Sequence, residues 1–136
     1  MNHPHRSWQP VAPTADAPAP AGAYSAAIRT GNLIFVAGQV PKDPATGDIV
    51  AGDVGEQTRQ VLANAARVLE AAGASLADVV SVTAYLARIE DWNAFDSAYR
   101  EAMRPPYPTR TTVGADLHGF LVEISLIAAM PERGAQ

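Results

Sequence analysis

The chain has 136 residues, 48% of them apolar, with 14 acidic side chains against 10 basic ones and no cysteine. That length fits one domain with a core of its own, and the lack of cysteine excludes disulfides, thiolate metal sites and a cysteine nucleophile together. A formal charge of −4 and a single lysine, Lys42, argue against a protein that lives on phosphate contacts, because nucleic-acid binders carry a basic excess.

The first 23 residues run through Pro4, Pro10, Pro13, Pro18 and Pro20 and hold no apolar stretch of signal-peptide length. Proline removes amide donors and fixes φ, so a flexible Pro/Ala-rich arm is expected over 1–23. No apolar run approaches the roughly 18 residues that a membrane span needs, and a soluble, cytoplasmic protein is expected. A single domain over 24–131 and a short tail over 132–136 complete the predicted organisation.

Residues 24–29 and 33–36 read as two strands joined by a tight turn at Gly31-Asn32, both turn residues supplying positive φ. Pro41 opens the loop sequence PKDPATGD. A helix then starts at Asp53, which can cap the first turn while Glu56 reaches back to complete a capping box. Val54, Thr58, Val61, Leu62, Ala65, Val68, Leu69 and Ala72 recur at helical spacing and predict one buried stripe, with Gly73 as the C-terminal cap.

Residues 80–87 alternate, placing Val80, Val82, Ala84 and Leu86 on one face of a strand. A second helix is predicted over about 91–103, burying Phe95, Ala98, Tyr99, Ala102 and Met103 and stopped by Pro105 and Pro106. Trp92, at its start, is expected to pack in the core. Residues 109–115 and 120–130 read as a closing hairpin around Asp116-Leu117-His118-Gly119. The predicted order is β-β-α-β-α-β-β: an α+β fold, a mixed sheet with both helices on one face. The last strand is apolar on both faces apart from Glu123 and Ser125, so its uncovered face calls for a partner chain.

Glu123 lies in the apolar run Leu121-Val122-Glu123-Ile124-Ser125. Burying a carboxylate is costly without a compensating charge or hydrogen bonds, and Arg110 in the preceding strand is the candidate partner. A four-residue hairpin loop places Thr112 opposite Glu123, and Arg110, Thr112, Glu123 and Ser125 then share one face. Two readings of that pair stay open. One is a structural ion pair; the other is a guanidinium that grips a substrate carboxylate beside an acid group that handles a proton or a water. The apolar strand should raise the pKa of Glu123 and Arg110 should lower it.

Other patterns carry less. Gly38 before Gln39 could admit a ligand close to the backbone, or mark a bend. No phosphate-cradling glycine motif and no nucleophile-elbow serine occur. His3, His5 and His118 lack metal-ligand spacing, so no metal site is expected.

Tyr24-Ser25-Ala26-Ala27-Ile28, Gly31-Asn32-Leu33-Ile34-Phe35-Val36-Ala37-Gly38-Gln39-Val40-Pro41 and Asp43-Pro44-Ala45-Thr46-Gly47 resemble the opening of the Rid (RidA/YjgF) reactive-intermediate deaminases. The resemblance continues through Glu56-Gln57-Thr58, Asn64, Leu69-Glu70-Ala71-Ala72-Gly73-Ala74, Pro108-Thr109-Arg110-Thr111-Thr112-Val113 and Val122-Glu123-Ile124, in order over residues 24–130. It implies a chorismate-mutase-like subunit in a homotrimer with a central barrel and active sites between subunits. It also implies hydrolysis of enamines and imines such as 2-aminoacrylate and 2-iminopropanoate to 2-oxo acids and ammonia, with no metal or organic cofactor.

By position, Arg110 matches the arginine that binds the substrate carboxylate, Glu123 the glutamate that positions water, and Tyr24 the pocket tyrosine. Ala37 and Gly38 match the Ser-Gly of a Ser-Gly-Gln motif, and Thr112 stands where many members have cysteine. Asp96 falls where an asparagine is frequent. The segments before Arg110 and at 116–119 are a few residues short. Both border the implied pocket, so substrate range is where this chain is expected to depart from its relatives. A pathway deaminase for a larger enamine and a non-catalytic small-acid-binding or chaperone-like module are the alternatives; the acidic balance weighs against a ribonuclease.

Overall fold

The computed structural model describes residues 6–131. Its elements are β1 (Gln9–Pro10), β2 (Ala27–Thr30), β3 (Leu33–Gln39), α1 (Val54–Ala71), β4 (Val79–Leu86), α2 (Trp92–Met103), β5 (Thr109–Gly114) and β6 (Val122–Ala129), with 3₁₀ turns at Leu76–Asp78 and Ile89–Asp91. Among the described residues no helix is long and apolar enough to cross a membrane.

The Pro-rich segment is more ordered than its composition predicts. β1 pairs antiparallel with β2, the Val11 amide donates to the Ala27 carbonyl at 2.9 Å, and Ala17 is buried. β1 forms an edge of the sheet, where Pro10 needs no ladder donor on its outer side. Residues 1–5, with His3 and His5, and the predicted tail at 132–136 lie outside the described residues.

β2 and β3 are joined by the two-residue turn expected at Gly31-Asn32, but only Gly31 has positive φ, as a type II′ turn requires. α1 is capped as predicted: the Glu56 amide donates to Asp53 Oδ1 at 2.9 Å and the Asp53 amide donates to Glu56 Oε1 at 3.3 Å. At its far end Gly73, at φ +85°, lets the Ala74 amide reach the Leu69 carbonyl and its own amide reach Glu70, a Schellman closure.

Along β4 the buried residues are Val79, Val82, Ala84 and Leu86, whereas Val80, expected to share the face of the last three, is exposed. The cause is a register irregularity against β6 between Val79 and Ser81, which shifts the alternation by one residue at the strand start.

The six strands run in the order β1-β2-β3-β6-β4-β5. β5 pairs with β4 in parallel, and β6 inserts between β3 and β4. The predicted 109–115/120–130 hairpin is therefore absent. The chain leaves β4, crosses through α2 and returns in parallel, the geometry a helical crossover requires. Composition agrees with the placement: β5 is rich in threonine and sits at an edge, while the doubly apolar β6 is central.

Both helices cover one face of the sheet. Ile34, Leu62, Leu69, Leu86, Phe95 and Ile124 are fully buried between them, each contributing about 1.5–3 kcal/mol relative to exposure. The opposite face carries the half-buried Ile127 and Tyr85 together with Phe35 and Val113, each 38% exposed. This is the uncovered apolar face that the composition of β6 anticipates.

Candidate active site

The register divides the predicted site residues between two faces. Arg110 is level with Val82 and Thr112 with Ala84, both on the helix side. Glu123 is level with Tyr85, on the open side. The shared face expected for Arg110, Thr112, Glu123 and Ser125 does not exist within one chain. The difference follows directly from the missing hairpin, since only a hairpin register gives the four residues one parity.

Arg110 is held from three directions. Its Nε donates to Thr112 Oγ1 at 2.9 Å, and its Nη1 donates to Asp96 Oδ1 at 2.8 Å. Its guanidinium carbon lies 4.6 Å from the ring centre of Tyr99, 5.1 Å from that of Phe95 and 5.2 Å from that of Trp92. Such a box of ring faces favours a cation and excludes water from its flanks. Trp92 is 41% exposed, so it serves this box rather than the core.

The ion-pair partner of Arg110 is thus Asp96, a residue the sequence marked only by position. The Asp96 carboxylate is shared, since Arg100 Nη2 donates to its Oδ2 at 2.9 Å. The Arg100 hydrogen bond is the largest influence holding Asp96 below the ordinary carboxylate range; partial burial opposes it and Arg110 adds to it. The signal was present in the spacing: Trp92, Asp96 and Arg100 recur every four residues on one face of α2. Asp96, Tyr99, Arg100, Tyr107, Pro108 and Arg110 line a cleft of about 280 Å³. Tyr99 is a lining residue whose hydroxyl is itself buried and has no hydrogen-bond partner among the described residues, and burial raises its pKa.

On the open face, Glu123 packs against Gly38. A Cβ added at Gly38 would lie 3.0 Å from Glu123 Cδ and overlap Oε2, so only glycine leaves room for this carboxylate. Glu123 is half-buried and burial raises its pKa. The lowering expected from Arg110 is absent because the two groups face away from one another. Gly38 also borders a second cleft of about 280 Å³, lined on other sides by Tyr24, Lys42, His118 and Phe120. The Tyr24 hydroxyl accepts from the Ala21 amide at 3.0 Å. Ala37 lies beside Tyr24 and Phe35 in a shallower depression, its own amide bonded to the Ala26 carbonyl.

The predicted site residues therefore fall into two groups on opposite faces. Arg110 and Thr112 belong to one, with Asp96 and Tyr99; Glu123 and Gly38 belong to the other, and Tyr24 borders Gly38 in its cleft. Two buried amides brace the segments beside the second group. Gln57 donates to the Val50 carbonyl and accepts from the Leu121 amide at 2.8 Å, and Asn64 donates to the Val40 and Lys42 carbonyls. Among the described residues no three histidine, aspartate or glutamate side chains converge as metal ligands.

Comparison with known proteins adds a consistent set of likenesses. Residues 14–130 match the family described as Endoribonuclease L-PSP. A RutC family protein of Pyrococcus abyssi is 51% identical over 117 residues, covering 85% of this chain and 92% of that protein. The human 2-iminobutanoate/2-iminopropanoate deaminase is 36% identical over 120 residues, 87% of this chain and 88% of that one. The crystal structure of E. coli TdcF with bound serine superposes with a TM-score of 0.82 at 30% identity, covering 90% of this chain and 99% of that one.

Proposed function

The chain belongs to the L-PSP family, also called Rid or YjgF, and from that premise we propose that it hydrolyses small reactive enamino and imino acids, of the 2-aminoacrylate and 2-iminopropanoate kind, to 2-oxo acids and ammonia. The name of the human relative supports this reaction class, and the serine bound by E. coli TdcF supports a ligand of that size.

The observation that carries the reading is Arg110. Its contacts within the chain use Nε and Nη1, which leaves Nη2 donors to hold a carboxylate in the cleft. That grip orients the imine carbon as well as lending affinity. Once its nitrogen is protonated, this carbon is electrophilic. Glu123 holds a water and takes its proton as the oxygen attacks, forming a C–O bond and moving the C=N electron pair onto nitrogen. The proton passes to that nitrogen from Glu123 or through Tyr24. Glu123, again ionised, takes the remaining hydroxyl proton as the C–N bond breaks, so that the carbonyl forms and ammonia leaves. Burial raises the pKa of Glu123 and an Arg110 from another copy opposes that rise, which leaves the carboxylate able both to take and to return the proton.

Because Arg110 and Glu123 face opposite sides of one sheet, the reaction needs Arg110 from one copy and Glu123 from another. We therefore propose a homotrimer whose active sites lie between subunits, the apolar open faces meeting at its centre. The reading places the protein in the cytoplasm, detoxifying such intermediates.

Ammonia release from enzymatically generated 2-aminoacrylate tests the proposal. Arg110→Ala should lower kcat/KM by about 10²–10³-fold while leaving the oligomer intact; unchanged turnover would remove Arg110 from the mechanism. A panel of imines made by an oxidase from different amino acids separates this reading from a deaminase for a larger enamine. Ligand binding without ammonia release would favour a non-catalytic module.

A further inference from the structure

The cleft that holds Arg110 already contains a carboxylate. Asp96 lies between two guanidinium groups, its Oδ1 accepting from Arg110 at 2.8 Å and its Oδ2 from Arg100 at 2.9 Å. The Asp96 and Arg110 side chains are only 19% and 15% exposed, whereas Arg100 is 66% exposed. Solvent therefore screens Arg100 far more than the inner pair. An anion on the remaining donors of Arg110 would place its oxygen about 4–6 Å from the Asp96 carboxylate, given ordinary hydrogen-bond lengths around one guanidinium. At that distance in a partly desolvated cleft, like charges repel appreciably.

Substrate and product differ in how they meet that repulsion. A protonated 2-imino acid carries a cationic nitrogen next to its carboxylate. The 2-oxo acid formed from it keeps the carboxylate and has a neutral carbonyl in place of that cation. Resting on the reading of Arg110 as the carboxylate-binding group, we propose that Asp96 is a specificity-determining residue. It selects zwitterionic ligands with a cationic nitrogen beside the carboxylate and disfavours the 2-oxo acid product. Tyr99 lines the same cleft as a neutral side chain whose hydroxyl is itself buried, so it carries no charge that could tell the ligands apart. Discrimination therefore falls to the charge on Asp96. Arg100 moderates it by engaging the other carboxylate oxygen.

Calorimetric titration of the full-length protein with pyruvate and with L-serine tests this without requiring turnover, serine standing in for the zwitterion. Asp96→Asn keeps the shape and removes the charge. It should tighten pyruvate binding about tenfold and change serine binding by less than about twofold, because lost attraction to the ammonium offsets lost repulsion of the carboxylate. Arg100→Gln, at an exposed position, should act in the opposite direction and weaken pyruvate more than serine. If Asp96→Asn weakens pyruvate or shifts both ligands equally, the selection role of Asp96 is overturned. The Arg110 reading survives that outcome provided Arg110→Ala abolishes binding of both ligands. Wild-type affinity for both in Arg110→Ala, or binding of neither ligand by any variant, overturns the two together.

Discussion

Glu123 and Asp96 are both carboxylates, and their surroundings drive them in opposite directions. Burial raises the pKa of Glu123, so the folded protein holds that proton more firmly than the unfolded chain does. Its ionised form then costs stability; the cost is complete above the folded pKa and vanishes below the ordinary carboxylate range. Glu123→Gln should therefore raise the thermal midpoint at pH 7–8, with the gain fading on acidification, and should lower ammonia release at least about 10²-fold. The wild-type kcat/KM profile should show an acid limb at the ionisation of Glu123, which burial raises and the other copy's Arg110 opposes in the proposed site. Asp96 is held low, first by the Arg100 hydrogen bond, so its contribution is present above the ordinary range and lost as pH falls through its depressed pKa. Asp96→Asn should destabilise the protein by about 1–2 kcal/mol at neutral pH, which denaturant unfolding would measure. Gly38→Ala tests the room left for Glu123. Its new Cβ meets the end of a flexible side chain, so the fold should persist while turnover falls; unchanged turnover would mean that the carboxylate position is immaterial.

At the scale of elements, α1 was legible because three independent signals coincide on it: the Asp53/Glu56 capping box, the apolar stripe and Gly73 at its end. Asp53→Ala should cost about 1 kcal/mol, read as a fall of a few degrees in thermal midpoint. β5 and β6 were legible as strands and illegible as neighbours. Local pattern reports which residues alternate, whereas pairing depends on where the α2 crossover returns the chain. The polar composition of β5 and the doubly apolar run of β6 did point to edge and centre, and they outweigh closeness in sequence. The candidate site suffered accordingly. Arg110 and Glu123 stood out as charges in strands, but the partner of Arg110 lies on α2, which no hairpin register could have revealed. Trp92 looked like a core residue because aromatic spacing on a helix is the same whether the face meets aliphatic side chains or a guanidinium, whereas Tyr99 is buried as expected and meets the guanidinium as well.

For the whole molecule, the open face of the sheet, with Phe35, Val113 and Ile127, is the feature that an isolated chain leaves unburied. The proposed trimer, built on it, would bring the two groups of site residues together, and sedimentation should then give three times the chain mass; Phe35→Asp should shift that mass downward and remove activity with it. The account rests most heavily on Arg110 and Glu123 acting from different copies, and mixing two inactive variants tests that directly. Arg110→Ala and Glu123→Gln proteins, unfolded together in equal amounts and refolded, should recover about a quarter of wild-type ammonia release, since random assembly gives intact residues on both sides of that share of sites. Recovery of none, with mixed oligomers verified by mass, would contradict a site shared between copies.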